Sequence, residues 1–266
     1  MIWDKGNSQY RVDAITKFGD NTTATYFRSI KESVFINGAA NRIDVRPNAT
    51  LELGQLVNGY PANGSFWTFN GYVQLGTTGT INIYMSMLLY IGTDALFMSF
   101  GSPSATTLTM KKVMVASTLS TTYFDIKVAT NVILEDVWFD YIRLLFRTQP
   151  TTPPTGIVIT NGGAGSTGAI QCNANLTLID VNIPNIITGP YIYMGASDVT
   201  CTLINPTLGA DVVQNYFASN TVYKKFYCDI NLCDKNGIAI SGAVVDCIDQ
   251  YAAAVWTAGT VTTDAS

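Results

Sequence analysis

An eight-residue pattern that recurs at intervals in the twenties constrains the fold of this 266-residue chain more than any other feature. Apolar residues occupy its first, third, sixth and eighth positions and polar residues its second or fifth, which predicts two short alternating strands joined by a bend. The starts are 24, 44 (two steps of 22) and 23 residues apart, and the copies span 108–115, 132–139, 176–183 and, in degenerate form, 199–206. A fixed period of this length, strand-like inside each period, predicts a solenoid.

Equivalent strands in stacked coils should place equivalent residues in one column. The third residues of the copies are therefore predicted to point into one interior column, and they are Met110, Leu134, Leu178 and Cys201. The polar residues before the copies are predicted to stack at one corner, and they are Thr107, Asn131, Asn175 and Asp198.

The pattern also sets the predicted domain limits. Residues 51–208 should form about seven coils of about 23 residues, in a rod on the order of 30 to 35 Å long. Residues 1–50 are less periodic and are predicted to be an N-terminal cap or attachment region. Inside the double-length interval, the proline-rich stretch 148–155 is predicted to be a loop excursion, because proline cannot donate to a central ladder. A helix over 136–147 is a weak alternative to strands.

In its period and its stacked polar corners, segment 51–208 resembles the right-handed parallel β-helices of pectate lyases and phage tailspikes. The resemblance implies right-handed coils.

The final segment has a different character. Asp234-Lys-Asn-Gly237, Ser241-Gly-Ala-Val-Val245 and Thr262-Thr-Asp-Ala265 occur in this order. They resemble motifs of the carboxypeptidase regulatory-like and bacterial immunoglobulin-like domains. The resemblance implies a linker at 209–222 and a partial Ig-like β-sandwich at 223–266, which is shorter than a full sandwich. We expect the missing strands to come either from a chain continuing beyond Ser266 or from a neighbouring subunit.

The predicted fold class is thus all-β, with an N-terminal cap, a right-handed parallel β-helix and a partial Ig-like β-sandwich.

Composition limits the function. Only 13% of residues are charged and the net charge is −4, so nucleic-acid binding is disfavoured, because no basic stripe exists beyond two Lys-Lys pairs. No apolar stretch reaches the length that a membrane-spanning helix needs.

Cysteines and short motifs favour structural over chemical roles. The five cysteines are odd in number and lack C-x-x-C spacing, which favours small buried hydrophobes over a disulfide or metal framework; Cys228 with Cys247 is the first pairing to check. Residues 163–168 fit G-x-G-x-x-G, but alternating strands follow where a dinucleotide site needs a helix, so a corner loop is predicted and no cofactor. Asp234–Gly237 matches the first residues of a twelve-residue calcium-binding loop, but no Glu stands at the twelfth position of that loop. A hairpin turn is therefore predicted and no metal site.

The chain contains no histidine, which removes the commonest general base and the Gly-His-Gly motif of polygalacturonase-like enzymes. Pectate-lyase-like chemistry uses an arginine base with calcium carboxylates. The nearest candidates are Asp136, Asp140, Arg143 and Arg147, together with Glu135. Asp136 has the same position in its copy as Lys112 and Asp180, so a structural corner role accounts for it, and we predict no catalytic site.

Exposed aromatic side chains could stack on sugar rings. The glycan-binding candidates are Trp67, Tyr72, Trp138 and Tyr141, and core packing is the alternative for each.

The favoured hypothesis is a structural surface protein of a phage or virus particle, a rigid spacer and adhesion module. Its expected partners are other virion proteins, copies of itself in a homo-oligomer, or a cell-surface glycan, and its expected location is the virion surface. Residues 1–7 do not resemble a Sec signal, which a virion protein does not need. The alternative is an extracellular glycan-binding or polysaccharide-cleaving β-helix.

Overall fold

The computed structural model describes residues 2–14, 16–20, 22–38, 42–70, 72–75, 79–92, 96–99, 107–119, 122–126, 131–163, 167–210, 213–215, 217–227, 233–238 and 240. The chain divides into two compact units, Met1–Phe226 and Tyr227–Ser266. Throughout the described ranges the regular elements are all β-strands. None of these residues belongs to a helix long and apolar enough to cross a membrane.

The first unit is a β-solenoid whose parallel strands lie on three faces. Face 1 consists of β4 (Thr25–Ser29), β7 (Ala49–Leu53), β12 (Thr80–Tyr84), the first halves of β15 (Thr107–Ser117) and β17 (Asn131–Asp140), β21 (Leu176–Ile179), β24 (Thr200–Ile204) and β27 (Thr221–Lys225).

Face 2 consists of β2 (Gln9–Val12), β5 (Ser33–Ile36), β10 (Phe66–Phe69), β13 (Met87–Tyr90), the second halves of β15 and β17, β19 (Val158–Thr160), β22 (Asn182–Ile183) and β25 (Thr207–Leu208). Two additions run antiparallel: β1 (Ile2–Asp4) pairs with β2, and a hairpin of β8 (Gln55–Val57) and β9 (Tyr60–Ala62) is inserted after β7.

Face 3 consists of β3 (Thr16–Phe18), β6 (Arg42–Val45), β11 (Tyr72–Leu75), β14 (Leu96–Ser99), β16 (Tyr123–Ile126), β18 (Arg143–Phe146), β20 (Ile170–Cys172), β23 (Ile192–Met194) and β26 (Val213–Asn215). Nine strands of one sheet, stacked about 4.8 Å apart, make a ladder about 38 Å long.

The predicted all-β solenoid of parallel strands, with about seven turns, is confirmed. Its ladders extend past both predicted limits of segment 51–208. On the N-terminal side Tyr10 pairs with Val34, so parallel coils already exist within 1–50, and on the C-terminal side β26 lies within 209–222. The right-handed winding stays a prediction.

The predicted bend is a left-handed backbone position at the corner between faces 1 and 2. Lys112, Asp136 and Asp180 have φ of 54°, 54° and 53°. Other coils also place a residue with positive φ at this corner, namely Lys31, Met85, Gly156 and Asn205. Asp, Asn and Gly adopt this conformation at the lowest cost, which explains the polar fifth position of the repeat.

The core lies between the three faces and is filled by alternate residues of each strand. Met110 pairs with Leu134, and Leu178 is the equivalent residue two coils further on, because Thr155 bridges both Glu135 and Ile179. All three are fully buried, so their predicted shared column is confirmed.

The fourth copy of the repeat is displaced by two residues. Leu178 pairs with Leu203, whereas Cys201 pairs with Leu176, so the predicted place of Cys201 beside Leu178 is wrong. The predicted corner stack shifts equally, since the Asn175 side-chain oxygen accepts a hydrogen bond from the Thr200 backbone N–H at 2.9 Å, where Asp198 was expected.

The proline-rich segment 148–155 contains no strand, as predicted for a loop, but its last residue, Thr155, bridges both neighbouring coils, so the segment is not an excursion from the solenoid. The Thr155 N–H donates to the Leu134 carbonyl at 3.0 Å, and the Pro154 carbonyl accepts from the Ile179 N–H at 2.9 Å. A proline lacks only the donor, so its carbonyl can still serve one neighbouring coil. The double-length interval is therefore two coils, and the weak helical alternative for 136–147 is wrong, because that stretch contains the end of β17 and all of β18.

Two cysteines behave as the predicted small hydrophobes: Cys172 and Cys201 are free thiols, completely buried in the core. A hydrogen bond with Cys201, together with burial, raises the pKa of the Cys172 thiol well above its usual value. Cys233 is free and exposed, whereas Cys228 and Cys247 lie outside the described residues.

The described part of the second unit contains the predicted turn. The Asp234 carboxylate accepts hydrogen bonds from the backbone N–H groups of Ile238 and Asn236, at 3.0 and 2.8 Å, and these bonds lower its pKa. Gly237 has φ of 80°, as a tight turn requires. The Ser-Gly-Ala and Thr-Thr-Asp-Ala motifs fall outside the described residues, so the partial Ig-like β-sandwich stays a prediction.

Candidate functional site

The predicted carboxylates occupy two corners of one coil. Asp136 is the left-handed residue between faces 1 and 2, against Gly156 of the next coil, where an added Cβ would meet its carboxylate oxygen at 2.4 Å. Asp140, four residues on along the same extended strand, is about 13 Å away. It accepts hydrogen bonds from the Thr160 hydroxyl at 2.8 Å and the Asn161 amide at 2.9 Å.

The predicted arginines have separate partners on face 3. The Arg143 guanidinium lies 4.9 Å from the centre of the Tyr123 ring, and burial lowers its pKa. Arg147 forms an ion pair at 3.0 Å with Asp125, whose side chain is 1% exposed.

Each carboxylate thus serves a corner and each arginine a neighbouring strand, and the contacts of these four residues do not form one constellation. Glu135 likewise forms an ion pair with Lys111. Within the described residues, no group of three or more His, Cys, Asp or Glu side chains is arranged to hold a metal ion.

The aromatic candidates separate into core and surface residues. Trp67 is 1% exposed and donates its indole N–H to the Ser29 hydroxyl at 3.2 Å, so the core-packing alternative applies to this candidate. Trp138 is 44% exposed and Tyr141 is 38% exposed. Tyr72 lies on β11, and its side chain is outside the described part of the chain.

A polar ladder lies beside Trp138. Its indole N–H donates to the Thr160 hydroxyl at 2.7 Å, and this hydroxyl in turn donates to Asp140. Asn161 donates to Asp140 and accepts from the Asn185 amide at 2.9 Å. These bonds fix the N–H edge of an exposed indole next to carboxylate and amide groups, an arrangement suited to a polar ligand with an apolar face.

Face 2 also carries an apolar column on its outer side, which sequence reasoning missed. Register pairs align Phe66, Met87, Met114, Trp138 and Val158 across five coils. At about 4.8 Å per coil the column is about 19 Å long. These residues occupy the outward positions of alternating strands, and only the pairing across coils reveals that they form a column.

A second feature missed from sequence lies at the N-terminal end of the solenoid. A cavity of about 270 Å³ opens there, and it is lined by Tyr10, Phe18, Phe27, Arg28, Ser29, Glu32, Val34, Leu51 and Trp67. These residues come from all three faces, so the cavity is the open end of the core.

The described residues of the glycine-rich segment 163–168, namely Gly163, Thr167 and Gly168, lie between β19 and β20. Gly163 and Gly168 have φ of 79° and 68°, and β20 follows instead of a helix. An added Cβ on Gly168 would lie 2.5 Å from the Pro190 carbonyl oxygen, so glycine is needed there for close stacking of coils. A strand thus follows where a dinucleotide site would need a helix, and residues 164–166 of the predicted corner loop lie outside the described residues.

Comparisons with protein-family models, with curated proteins and with solved structures found no match. The likeness to pectate lyases, to tailspikes and to Ig-like domains therefore stays a resemblance of motifs and period.

Proposed function

We propose that this protein is a structural surface component of a phage or virus particle, in which the β-solenoid is a rigid spacer. The observation that carries the proposal is the continuous parallel ladder of the first unit, which runs from β3 through nine strands of face 3. Every coil is bonded to its neighbours by backbone hydrogen bonds, so the rod resists bending along its length.

The separate structural contacts of Asp136, Asp140, Arg143 and Arg147 support a mechanical role over catalysis. Each of these side chains has a place in a corner or against a neighbouring strand. The resemblance to tailspike β-helices supports the location on a particle, where copies of the chain or other virion proteins would be its partners.

Particle composition tests this proposal. Virus particles purified from the source culture should yield peptides of this chain by mass spectrometry, and antibodies against it should label the particle surface in electron micrographs. Peptides found only in the particle-free fraction would contradict the proposal, and capsid or tail genes beside this gene would support it.

Glycan binding is a second candidate, favoured by the exposed Trp138 and Tyr141 beside the ladder from Asp140 to Asn185. Trp138→Ala would remove the stacking of a sugar ring on the indole face, so binding on an oligosaccharide array should fall by on the order of tenfold. Phe66→Ala, which removes an outward aromatic of the same column three coils away, is the matched control.

The polysaccharide-cleaving alternative predicts release of reducing ends or of unsaturated uronate from pectin, alginate or capsule polysaccharide. We expect no turnover. A signal that is lost in Asp136→Ala or Arg143→Ala would replace the spacer proposal with an enzymatic one.

A further inference from the structure

The two ends of face 1 differ in a way that points to a binding site for a polypeptide strand. At the N-terminal end the last strand of this face is β4, and within the described residues its one ladder partner is β7. Its other edge therefore presents backbone N–H and C=O groups in the spacing of a parallel ladder.

The core is open beside this edge. Phe27 and Ser29 point inward from β4 and are only half-buried, whereas their partners in the next coil, Leu51 and Leu53, are buried. The Phe18 and Phe27 rings, 4.6 Å apart between centroids, form part of the cavity wall. A cavity of about 150 Å³ accepts a benzene ring, so one of about 270 Å³ has room for one large or two medium apolar side chains.

The floor of the cavity is a fixed structure. The Ser29 hydroxyl accepts from the Trp67 indole at 3.2 Å, and the Ser65 hydroxyl donates to the Ser29 carbonyl at 2.9 Å. On the outer side an ion pair between Arg28 and Glu52, at 2.7 Å, holds β4 to β7. The edge is thus already shaped before any partner arrives, which lowers the ordering cost of strand addition.

Two other edges carry features that β4 lacks. On face 2 the edge of β2 is covered by β1, which adds to it as an antiparallel strand. At the opposite end of face 1, the edge strand β27 places Lys224 in the inward column, in register with Leu203. An inward-pointing charge is a known device against strand addition, because pairing would bury it. In β4 the corresponding inward residues, Phe27 and Ser29, carry no charge.

From these observations we propose that the N-terminal end of face 1 accepts an extended strand from a different polypeptide chain. The strand runs parallel to β4, completes the missing face-1 strand of that coil, and inserts alternate apolar side chains into the cavity above Phe27 and Ser29. The inference rests on the proposed function, because it supplies the attachment point of the spacer to its particle.

The probe is a synthetic peptide with the sequence of β12, Thr-Ile-Asn-Ile-Tyr, between polar flanks. In its own coil β12 lies on face 1 and points Ile81 and Ile83 into the columns of Leu51 and Leu53, which continue to Phe27 and Ser29. Fluorescence anisotropy of the labelled peptide should show saturable binding, and amide hydrogen exchange should slow in β4 and stay unchanged in β27.

Matched variants locate the site. Ser29→Lys copies the inward charge of Lys224 and should weaken binding by on the order of tenfold or more, because the lysine would be buried without a partner. Asn82→Lys places the same charge on the outer side of β12, two coils away on the same face, and should leave the affinity within about twofold. The peptide N-methylated at alternate amides loses its ladder bonds and should not bind.

Equal affinity for Ser29→Lys and the wild-type chain, exchange protection in β27, or binding of the N-methylated peptide would overturn the inference. So would self-association of the chain alone that Ser29→Lys abolishes, because it would assign the edge to a second copy. If Ser29→Lys lacks a cooperative thermal transition, the N-methylated peptide decides. A negative result leaves the spacer proposal intact, since particle composition tests that proposal separately.

Discussion

Shortening Leu178 to alanine tests the register of the coils, because this side chain is completely buried between two neighbouring coils. Leu→Ala in a packed core costs about 2 to 5 kcal/mol through lost burial and the residual cavity. For a unit of this size, a loss of about 3 kcal/mol lowers the Tm by roughly 6 to 12 °C. Thr177→Ala, on the outer side of the same strand, should change the free energy of unfolding by no more than about 0.5 kcal/mol.

A double-mutant cycle then distinguishes the two alignments of the fourth repeat. Leu178 pairs with Leu203, so Leu178→Ala and Leu203→Ala should be coupled by about 0.5 to 3 kcal/mol. Cys201 pairs with Leu176, so Leu178→Ala and Cys201→Ala should add to within about 0.5 kcal/mol.

Urea unfolding followed by circular dichroism measures all of these free energies. A larger coupling of Leu178 to Cys201 than to Leu203 would support the alignment predicted from the repeat, in which Cys201 lies beside Leu178. An equal cost for Thr177→Ala and Leu178→Ala would refute the alternation on which the interior column depends.

Two further predictions concern buried polar groups. Since its pKa is raised, Cys172 should remain a protonated thiol from pH 7 to 9 and resist iodoacetamide in the folded chain, while the exposed Cys233 is labelled. Rapid labelling of Cys172 in the folded chain, read by mass spectrometry, would contradict this expectation. The contribution of the Cys172 thiol to stability should be complete below the unfolded thiol pKa of about 8.5 and should be lost as the pH rises through the folded pKa. Arg147→Met removes the guanidinium that pairs with the buried Asp125 carboxylate at 3.0 Å and should lower the free energy of unfolding by about 1 to 3 kcal/mol; an unchanged urea midpoint would contradict this.

The repeat predicts the middle of the solenoid because strands there follow one another without insertions. Copies at 108–115 and 132–139 pair residue by residue, and their bends fall on Lys112 and Asp136 as the polar fifth position indicates. The first coils escaped prediction because the β8–β9 hairpin lengthens one of them and breaks the period. The face-1 position of the coil around Thr155 was not predicted, because this coil contributes a single bridge to face 1, inside a segment where proline indicates a loop.

The candidate residues were harder to place than the strands. Phe66-Trp67-Thr68-Phe69 alternates correctly, but both Phe66 and Trp67 are aromatic, and alternation alone does not say which of them faces the core. Pairing across coils decides it, since Trp67 aligns with Val34 and Leu88, which are both buried. The open end of the core has no local sequence signal, because it depends on which strands pair with β4, and among the described residues only β7 does.

Strand length varies along the rod, and this variation indicates where the rod should yield. In the middle, β15 and β17 contain 11 and 10 residues and pass through the corner between faces 1 and 2 without interruption. Towards the C-terminal end, β22 and β25 contain 2 residues each. Because each coil is stabilised mainly by its neighbours, coils joined by short ladders open at lower free energy than coils joined by long ones. On face 2, local opening should therefore begin at β22 and β25, whereas face 1 of the same coils is held by the five-residue ladder between β24 and β27.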